Sequence, residues 1–569
     1  MTSQGLTRLR PSSTPGSYVY RRVRLLAMCC LALLLVSACA TSPSRVKPQP
    51  SRIVAATYFG HAWPVNFWTS DLTSAPQDFR QISRDGFNAI VLVVPWGYFQ
   101  PTVSPPTYNW SAFARLKQLF RQAQQAGLGV LVRVSYMWDD PVHDQYPGAI
   151  RFERLLSDPH VYSAWLSYLA TVDKICRQSS NFWGGYISWE DFDTLFLDAS
   201  SAKSAQQRQA LATQSGYDNW LKQRYSLIQL DGIYHQNFTS TTDVPTPLRS
   251  TPAFKLLLTY WDYELVHRIF EPALRRFPGL TMEVRVDEDP IYQGTSIVTE
   301  YSHAATYRLP GTHITGIYFN PYMGISPGVT ETVGEAVATL HTVLQRVSSE
   351  DGNRSIRIYE LQLYDNTPAN ASNAHLPLST VPQFIRAATA TLVAGAMGYS
   401  VWTYRDYHAN ALFNPSFAVG TSGWIVGGRV LPLTDFHGHD AAVMAAGSSL
   451  TQDVSFYGLP YRSSTTRSVT VSLEAQARQS NSVLTVSVGA TCKRVFRLGR
   501  AETVVTLQCP IAGLSNFNVS VATSGSLIVS NLQEYCYTQV DDIYSASGTA
   551  EPGLAALRRM NLIFRKAGR

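Results

Sequence analysis

Residues 89–135 read AIVLVVPWGYFQPTVSPPTYNWSAFARLKQLFRQAQQAGLGVLVRVS, and the order of elements in this stretch decides the fold. The run 89–95 is continuously apolar, Val-rich and short, the pattern of a strand buried on both faces. Residues 111–126 place Phe113, Leu116, Leu119 and Phe120 on one face at helical spacing, and Gly127 is the stop. A second apolar run, 130–135, follows. Strand, amphipathic helix and strand in this order predict a parallel βαβ unit.

The same alternation extends from about residue 52 to 405. Candidate strands 53–59, 185–189, 281–286, 314–319, 356–361 and 399–403 bring the total to eight. Eight β/α units in about 350 residues fit a (β/α)₈ TIM barrel with insertions. A doubly wound open sheet is the alternative, but neither GxGxxG nor a P-loop follows the first strand. After Tyr407 helical periodicity gives way to short strands rich in Val, Ser and Thr, running to about residue 538, which predict an antiparallel β-sandwich. Residues 552–566 read as a short basic helix, packed on the barrel or loose.

The start of the chain has another texture. Arg21, Arg22 and Arg24 precede an apolar stretch from Leu25 to about Ala38, too short for a comfortable membrane span of ~20 residues. A basic segment followed by a short apolar one is the pattern of a secretory signal. Val36-Ser37-Ala38-Cys39 resembles a bacterial lipobox, which implies lipidation of Cys39. An uncleaved N-terminal anchor is the alternative, and both put the folded part outside the cytoplasm. The domains expected are a signal peptide (1–39), a Pro/Ser-rich tether (40–51), the barrel (52–410), the sandwich (411–540) and a C-terminal tail (541–569).

The formal charge of +7 is misleading, because residues 1–39 hold five arginines and no acid; removing them leaves 7 − 5 = +2. Near-neutral charge argues against a nucleic-acid partner. Of the cysteines beyond the leader, Cys176, Cys492, Cys509 and Cys536, no two have CxxC spacing and no His cluster accompanies them, so neither zinc nor another cofactor is indicated. Cys492–Cys509 is the natural disulfide between neighbouring strands, and Cys176 a buried free thiol.

In a TIM barrel the active site lies at the C-terminal ends of the strands. Those ends carry Trp63, Trp96, Arg133, Trp138, Trp189, Glu190, Asn320, Tyr322, Glu360 and Trp402. Aromatic platforms with carboxylates and amides suit a sugar, which has apolar C–H faces and polar edges. Cleaving a glycosidic bond takes one carboxylic acid to protonate the leaving oxygen and a second carboxylate to attack the anomeric carbon or activate water. Glu190 is expected as acid/base, its proton held by burial beside Trp189 and by its negative partner. Glu360 is expected as nucleophile, kept ionised by Arg133 and a hydrogen bond from Tyr322 or Tyr359. The inward partner of Arg133 is Glu360 or Asp287. Asp191 and Asp193 are expected as caps, and Glu283 and Asp287 as internal ion-pair partners of Arg285.

Glutamates at the ends of strands 4 and 7 resemble clan A glycoside hydrolases, which place acid/base and nucleophile there. The segment Tyr217-Asp218-Asn219-Trp220-Leu221-Lys222-Gln223-Arg224-Tyr225, followed by Ile228-Gln229-Leu230-Asp231, is most similar to family 42, the β-galactosidase-like enzymes. Val94-Pro95-Trp96 and Tyr108-Asn109-Trp110 fit the same relatives. Clan A usually has Asn directly before the acid/base; this chain has Trp189. Asn414-Pro415-Ser416-Phe417, Gly420 and Gly423-Trp424 resemble the opening of jelly-roll carbohydrate-binding modules, which implies glycan contact through exposed aromatics such as Trp424 or Tyr457; the sandwich could equally brace the barrel. The function expected is a retaining glycoside hydrolase acting on an extracellular or envelope oligo- or polysaccharide and held to the membrane by a lipid anchor. The alternative is a non-catalytic glycan-binding or exopolysaccharide-assembly lipoprotein on a degenerate hydrolase barrel.

Overall fold

The stretch quoted above forms a strand, a helix and a strand. In the helix Trp110–Gln125, Asn109 accepts at its side-chain oxygen from the Ala112 N–H, satisfying one of the unpaired N-terminal donors. Phe113, Leu116, Leu119 and Phe120 are buried, and Gly127 leaves the helix at φ +76°. The computed structural model describes residues 49–70, 72–136, 151, 154–192, 204–286, 289–321, 329–364, 376–410, 412–437, 439–455, 468–511, 516–540 and 543–568.

Eight parallel strands close on themselves: β1 (Ile53–Thr57), β2 (Ala89–Pro95), β3 (Gly129–Tyr136), β4 (Phe182–Ser188), β5 (Thr281–Val284), β6 (Ile314–Phe319), β7 (Ser355–Gln362) and β8 (Gly398–Trp402). Their order around the barrel is β1-β8-β7-β6-β5-β4-β3-β2, and all eight fall on the runs picked out by hydrophobicity. The fold is a TIM barrel. Its interior is packed by Ile53, Ala55, Ala89, Val91, Leu131, Tyr186 and Tyr359. Tyr186 and Tyr359 stack at 4.1 Å across the lumen. Gly316 makes room for them, since a Cβ there would sit 2.3 Å from the Met282 carbonyl oxygen and 2.5 Å from the Tyr359 ring.

Two strands carry one extra residue near the mouth. On β3, Val94 pairs with Val134 but Pro95 with Tyr136, leaving Ser135 as the extra residue at φ +73°. On β7, Ile317 pairs with Ile358 but Tyr318 with Glu360. Bulges of this kind re-aim side chains.

The C-terminal strands form two antiparallel sheets. One runs in the order Val430–Phe436, His439–Met444, Leu527–Gln539, Ser468–Ala477, Thr503–Pro510, with Tyr407–Asn410 also on Leu527–Gln539. The other runs Ile425–Gly427, Ser449–Ser455, Asn516–Thr523, Ser482–Val488, Cys492–Leu498. Burial alternates residue by residue along Ser468–Ala477 and Ser482–Val488, as in facing sheets. Cys492 and Cys509 are disulfide-bonded. They are near in sequence but lie on edge strands of different sheets, so the bond ties sheet to sheet instead of linking hydrogen-bonded neighbours. Cys176 is a buried free thiol, with burial pushing its proton affinity up. The sandwich meets the barrel through the Asn66 amide, which donates to the Asn410 carbonyl, and the Ser416 hydroxyl, which donates to that of Thr69. The C-terminal helix Leu554–Lys566 packs on the helix Val381–Gly395 and on β1.

Among the described residues no helix is long and apolar enough to cross a membrane. Cys39 and the leader lie outside them.

Candidate active site

At the C-terminal end of the barrel, four carboxyl groups surround one guanidinium. Arg133, on β3, is buried, and its Nη2 lies 3.0 Å from Asp191 Oδ1 and 3.7 Å from Glu190 Oε2. Its Nη1 donates to Glu360 Oε2 at 3.2 Å, and its Nε to Asp191 Oδ2 at 3.4 Å. All three guanidinium nitrogens are therefore engaged. Burial lowers the proton affinity of Arg133, but Asp191, Glu283 and Glu360 reverse this and raise it well above its ordinary value.

Glu360 owes its position to the β7 bulge. Ile358 and Leu361 face the outer core, while Tyr359 and Glu360 both turn inward, Tyr359 onto Tyr186 and Glu360 onto Arg133. Burial and the neighbouring Glu283 push the Glu360 carboxyl up, against the pull of Arg133; Glu190 and Asp191 add to the rise. Strand β4 passes into a 3₁₀ turn, Trp189–Phe192, which carries Glu190 and Asp191. The Glu190 side chain is 59% exposed and reaches the cluster from the solvent side.

The fourth carboxyl belongs to Glu283 on β5, paired with Ser188 of β4 and Gly316 of β6. Ser188 Oγ donates to its Oε1 at 2.7 Å, whereas Oε2 is buried without a hydrogen-bond partner. Burial raises its carboxyl to about 7, opposed by Arg133 and Ser188 and helped by Glu190 and Asp191.

An aromatic wall stands beside the carboxylates. Trp63 lies 6.1 Å from Trp402, 5.1 Å from Tyr407 and 6.2 Å from Tyr136. The Arg133 guanidinium sits 5.4 Å from the Tyr136 ring and 5.9 Å from that of Trp402. Asn320, directly after β6, is buried, and neither amide atom has a hydrogen-bond partner.

Behind the Trp189–Phe192 turn lies a charged triad. His303 is buried, with Nδ1 2.7 Å from Asp262 and Nε2 2.9 Å from Asp289. Burial alone would lower its proton affinity, but the two aspartates raise it to about 10, so the ring is an imidazolium. It packs edge-on to Trp189 at 5.5 Å and so braces the turn that carries Glu190. Nothing in the local sequence marks this triad, since helical residues 264–276 and strand β5 separate Asp262 from Asp289, and the hairpin 289–301 separates Asp289 from His303.

Several expectations need correction. Trp96 is fully buried, donates to Gln100 at 2.7 Å and packs against Tyr168, so it belongs to the barrel wall and offers a ligand no surface. Trp189 is buried on Trp261 and His303, so it sits behind Glu190 and leaves that carboxyl in solvent instead of burying it. Asp191 is an ion-pair partner of Arg133, not a cap. The Tyr359 hydroxyl accepts from Arg357 and shares a hydrogen bond with the Thr281 hydroxyl, and does not donate to Glu360. Glu283 joins the Arg133 cluster, while Arg285 lies 5.6 Å over the Trp189 ring. Trp424 is not an exposed aromatic: it is buried on Phe417 and donates to the Asn414 carbonyl. Trp138, Tyr322, Asp193, Asp287 and Tyr457 lie outside the described residues. Among the described residues no cluster of three His, Cys, Asp or Glu side chains could hold a metal ion.

No protein-family model and no curated protein matches the chain. Among solved structures, GH5_18 from Streptomyces cattleya in complex with GlcNAc is 15% identical, with a TM-score of 0.39 over 63% of this chain and 71% of that chain. A β-galactosidase from the psychrophilic Marinomonas ef1 is 11% identical, with a TM-score of 0.42 over 62% of this chain and 54% of that one. TmCBM61 in complex with β-1,4-galactotriose is 14% identical, with a TM-score of 0.19 over 22% of this chain and 99% of that one. These are distant likenesses of fold, and they do not single out family 42.

Proposed function

We propose that this chain is a retaining glycoside hydrolase acting on an extracellular or envelope oligo- or polysaccharide, with Glu360 as nucleophile and Glu190 as acid/base. The observation that carries this reading is that Glu360 at the end of β7 and Glu190 just after β4, with two strands between them, reach one buried guanidinium, at 3.2 and 3.7 Å. Attack on the anomeric carbon needs the Glu360 anion; burial and Glu283 push its carboxyl up, contrary to the expectation that Arg133 keeps it ionised, and Arg133 is the neighbour that pulls towards the anion. Glu190, open to solvent, protonates the departing oxygen and then takes the proton of the water that releases the sugar from Glu360. Trp63 and Trp402 supply the platform for the sugar ring.

The second reading is a barrel that binds glycan without cleaving it. It is favoured by Trp189, whose buried ring offers no amide beside Glu190. A panel of aryl glycosides and bacterial exopolysaccharides, with Glu360→Gln and Glu190→Gln alongside, decides between them. Turnover that collapses in both variants, with azide rescuing Glu190→Gln, supports hydrolysis. Binding without turnover across the panel supports the second reading, and activity indifferent to both substitutions removes the site assignment.

We also read Cys39 as the lipidated N-terminus of an exported protein held to the cell envelope. Radiolabelled fatty acid should enter the full chain and not its Cys39→Ser variant.

A further inference from the structure

The C-terminal helix Leu554–Lys566 plays no part in the site described above. Its buried side, Leu554, Leu557, Met560 and Phe564, faces the barrel. Arg558 Nε donates to Asp85 at 2.8 Å, Asn561 donates to the Asp85 carbonyl at 2.9 Å and accepts from the Tyr399 hydroxyl, and Arg52 lies 4.6 Å over the Phe564 ring. Arg52 precedes β1, Asp85 precedes β2 and Tyr399 is near the start of β8. The helix therefore lies under the N-terminal ends of the strands, the end opposite Glu190 and Glu360.

Its other side is open to solvent. Ala555, Arg559, Leu562, Ile563 and Lys566 are exposed, and their spacing of three, four and seven puts them on one face. Leu562 is 53% and Ile563 39% exposed, neighbouring apolar side chains flanked by cations. The helix contains four basic residues and no acid. The described chain also begins at this end: the Ser51 hydroxyl donates to the Gly568 carbonyl at 2.7 Å. Cys39 stands twelve residues before Ser51 in the sequence, and an extended chain of that length spans at most about 40 Å.

We propose that the exposed face of the helix Leu554–Lys566 docks on an anionic lipid surface, so that the barrel stands with its mouth turned away from the bilayer. The proposal rests on the reading of Cys39 as a lipid anchor, which holds this end of the barrel near a membrane. Arg559 and Lys566 meet the headgroup phosphates, while Leu562 and Ile563 enter the boundary between headgroups and acyl chains. A protein partner fits less well, because stable interfaces bury ~800 Å² per side around a core depleted of charge. Here the apolar part is two side chains between cations.

The test uses residues 49–569, which contain both complete cores, and sedimentation with vesicles of phosphatidylcholine alone or mixed with phosphatidylglycerol. Binding is expected to the mixed vesicles only, with release by salt. Arg559→Gln and Lys566→Gln should each weaken it about fivefold, and Leu562→Ser with Ile563→Ser should abolish it, all without changing the melting temperature. No binding, binding insensitive to these changes, or equal binding to neutral vesicles overturns the proposal. Self-association lost in the same variants, without vesicle binding, also overturns it and makes the face a protein interface. Failure of the anchor reading shows separately, as absence of fatty acid on Cys39 in the full chain.

Discussion

Replacing Glu283 by Gln should make the protein more stable at pH 8 while leaving its stability at pH 4.5 almost unchanged. The side chain is buried, its Oε1 accepts from Ser188, its Oε2 has no partner, and the nitrogens of Arg133 are taken by Asp191, Glu190 and Glu360. Ionising such a group is costly, which is why its carboxyl is raised from the ordinary value of 4.5 to about 7. A carboxyl raised in the folded state binds its proton more tightly there than in the unfolded chain. Its stabilising contribution is complete below about 4.5, falls as pH rises through the folded value, and is spent above about 7. At about 1.4 kcal/mol per unit, the difference between the two limits is about 3 kcal/mol. Gln keeps the shape and the Ser188 contact and has no charge to lose. Urea unfolding between pH 4.5 and 8 should show the wild type losing stability along a slope that the variant lacks in large part. The remaining slope belongs to Glu360, which burial and Glu283 push in the same direction. Parallel curves, or a variant destabilised equally at every pH, would refute the placement of an unpaired carboxyl under the site.

Other perturbations give distinct signatures. Arg133→Met removes the cation shared by Asp191 and Glu360 and should cost about 3–5 kcal/mol near neutral pH, read by chemical denaturation; Asp191→Asn in the same chain should recover part of it. His303→Gln tests the triad behind Trp189. Because the imidazolium is raised to about 10, its stabilisation is complete below the unfolded value of 6.5 and is lost as pH rises towards 10. The wild type should thus lose stability between pH 7 and 10 while the variant, weaker at pH 7, stays level. Reducing Cys492–Cys509, which closes a loop of 17 residues, should lower the stability of the sandwich by about 3 kcal/mol, seen as a fall in the melting temperature of residues 49–569.

The barrel was legible because parallel strands covered on both faces must be apolar at every position. Ala89–Pro95 shows that directly, with all seven residues buried. The intervening helices announce themselves by period and caps, as at Asn109 and Gly127. Glu190 and Glu360 were legible because strand ends alone decide what faces the mouth. The neighbours of those two residues were harder to read. Trp96, Trp189 and Trp402 share the strand-end position and all three are buried, yet Trp96 packs in the wall, Trp189 behind the turn and only Trp402, 8% exposed, beside Trp63 and the Arg133 guanidinium, and which way a Trp turns depends on helices distant in sequence. The triad His303–Asp262–Asp289 assembles from three separate elements and has no spacing to find.

The direction of Glu360 illustrates a signal that was present and went unread. In a regular strand Tyr359 and Glu360 would face opposite sides, and with Tyr359 filling the lumen Glu360 would be driven into the outer core. The outward residues of β7 are Ile356, Ile358 and Leu361, spaced by two and then by three. A change from two to three in the apolar spacing of one strand marks one extra residue, hence a bulge. The ladders on both sides record it: β6 pairs Tyr318 with Glu360 directly after Ile317 with Ile358, and β8 passes from Tyr399–Ile358 to Val401–Leu361. The bulge therefore does two jobs at once. Tyr359 closes the lumen against Tyr186, and the next residue swings onto Arg133 at the mouth. A regular strand could give the inward face only one of the two, either the packing that supports the barrel or the carboxylate that the proposed chemistry requires.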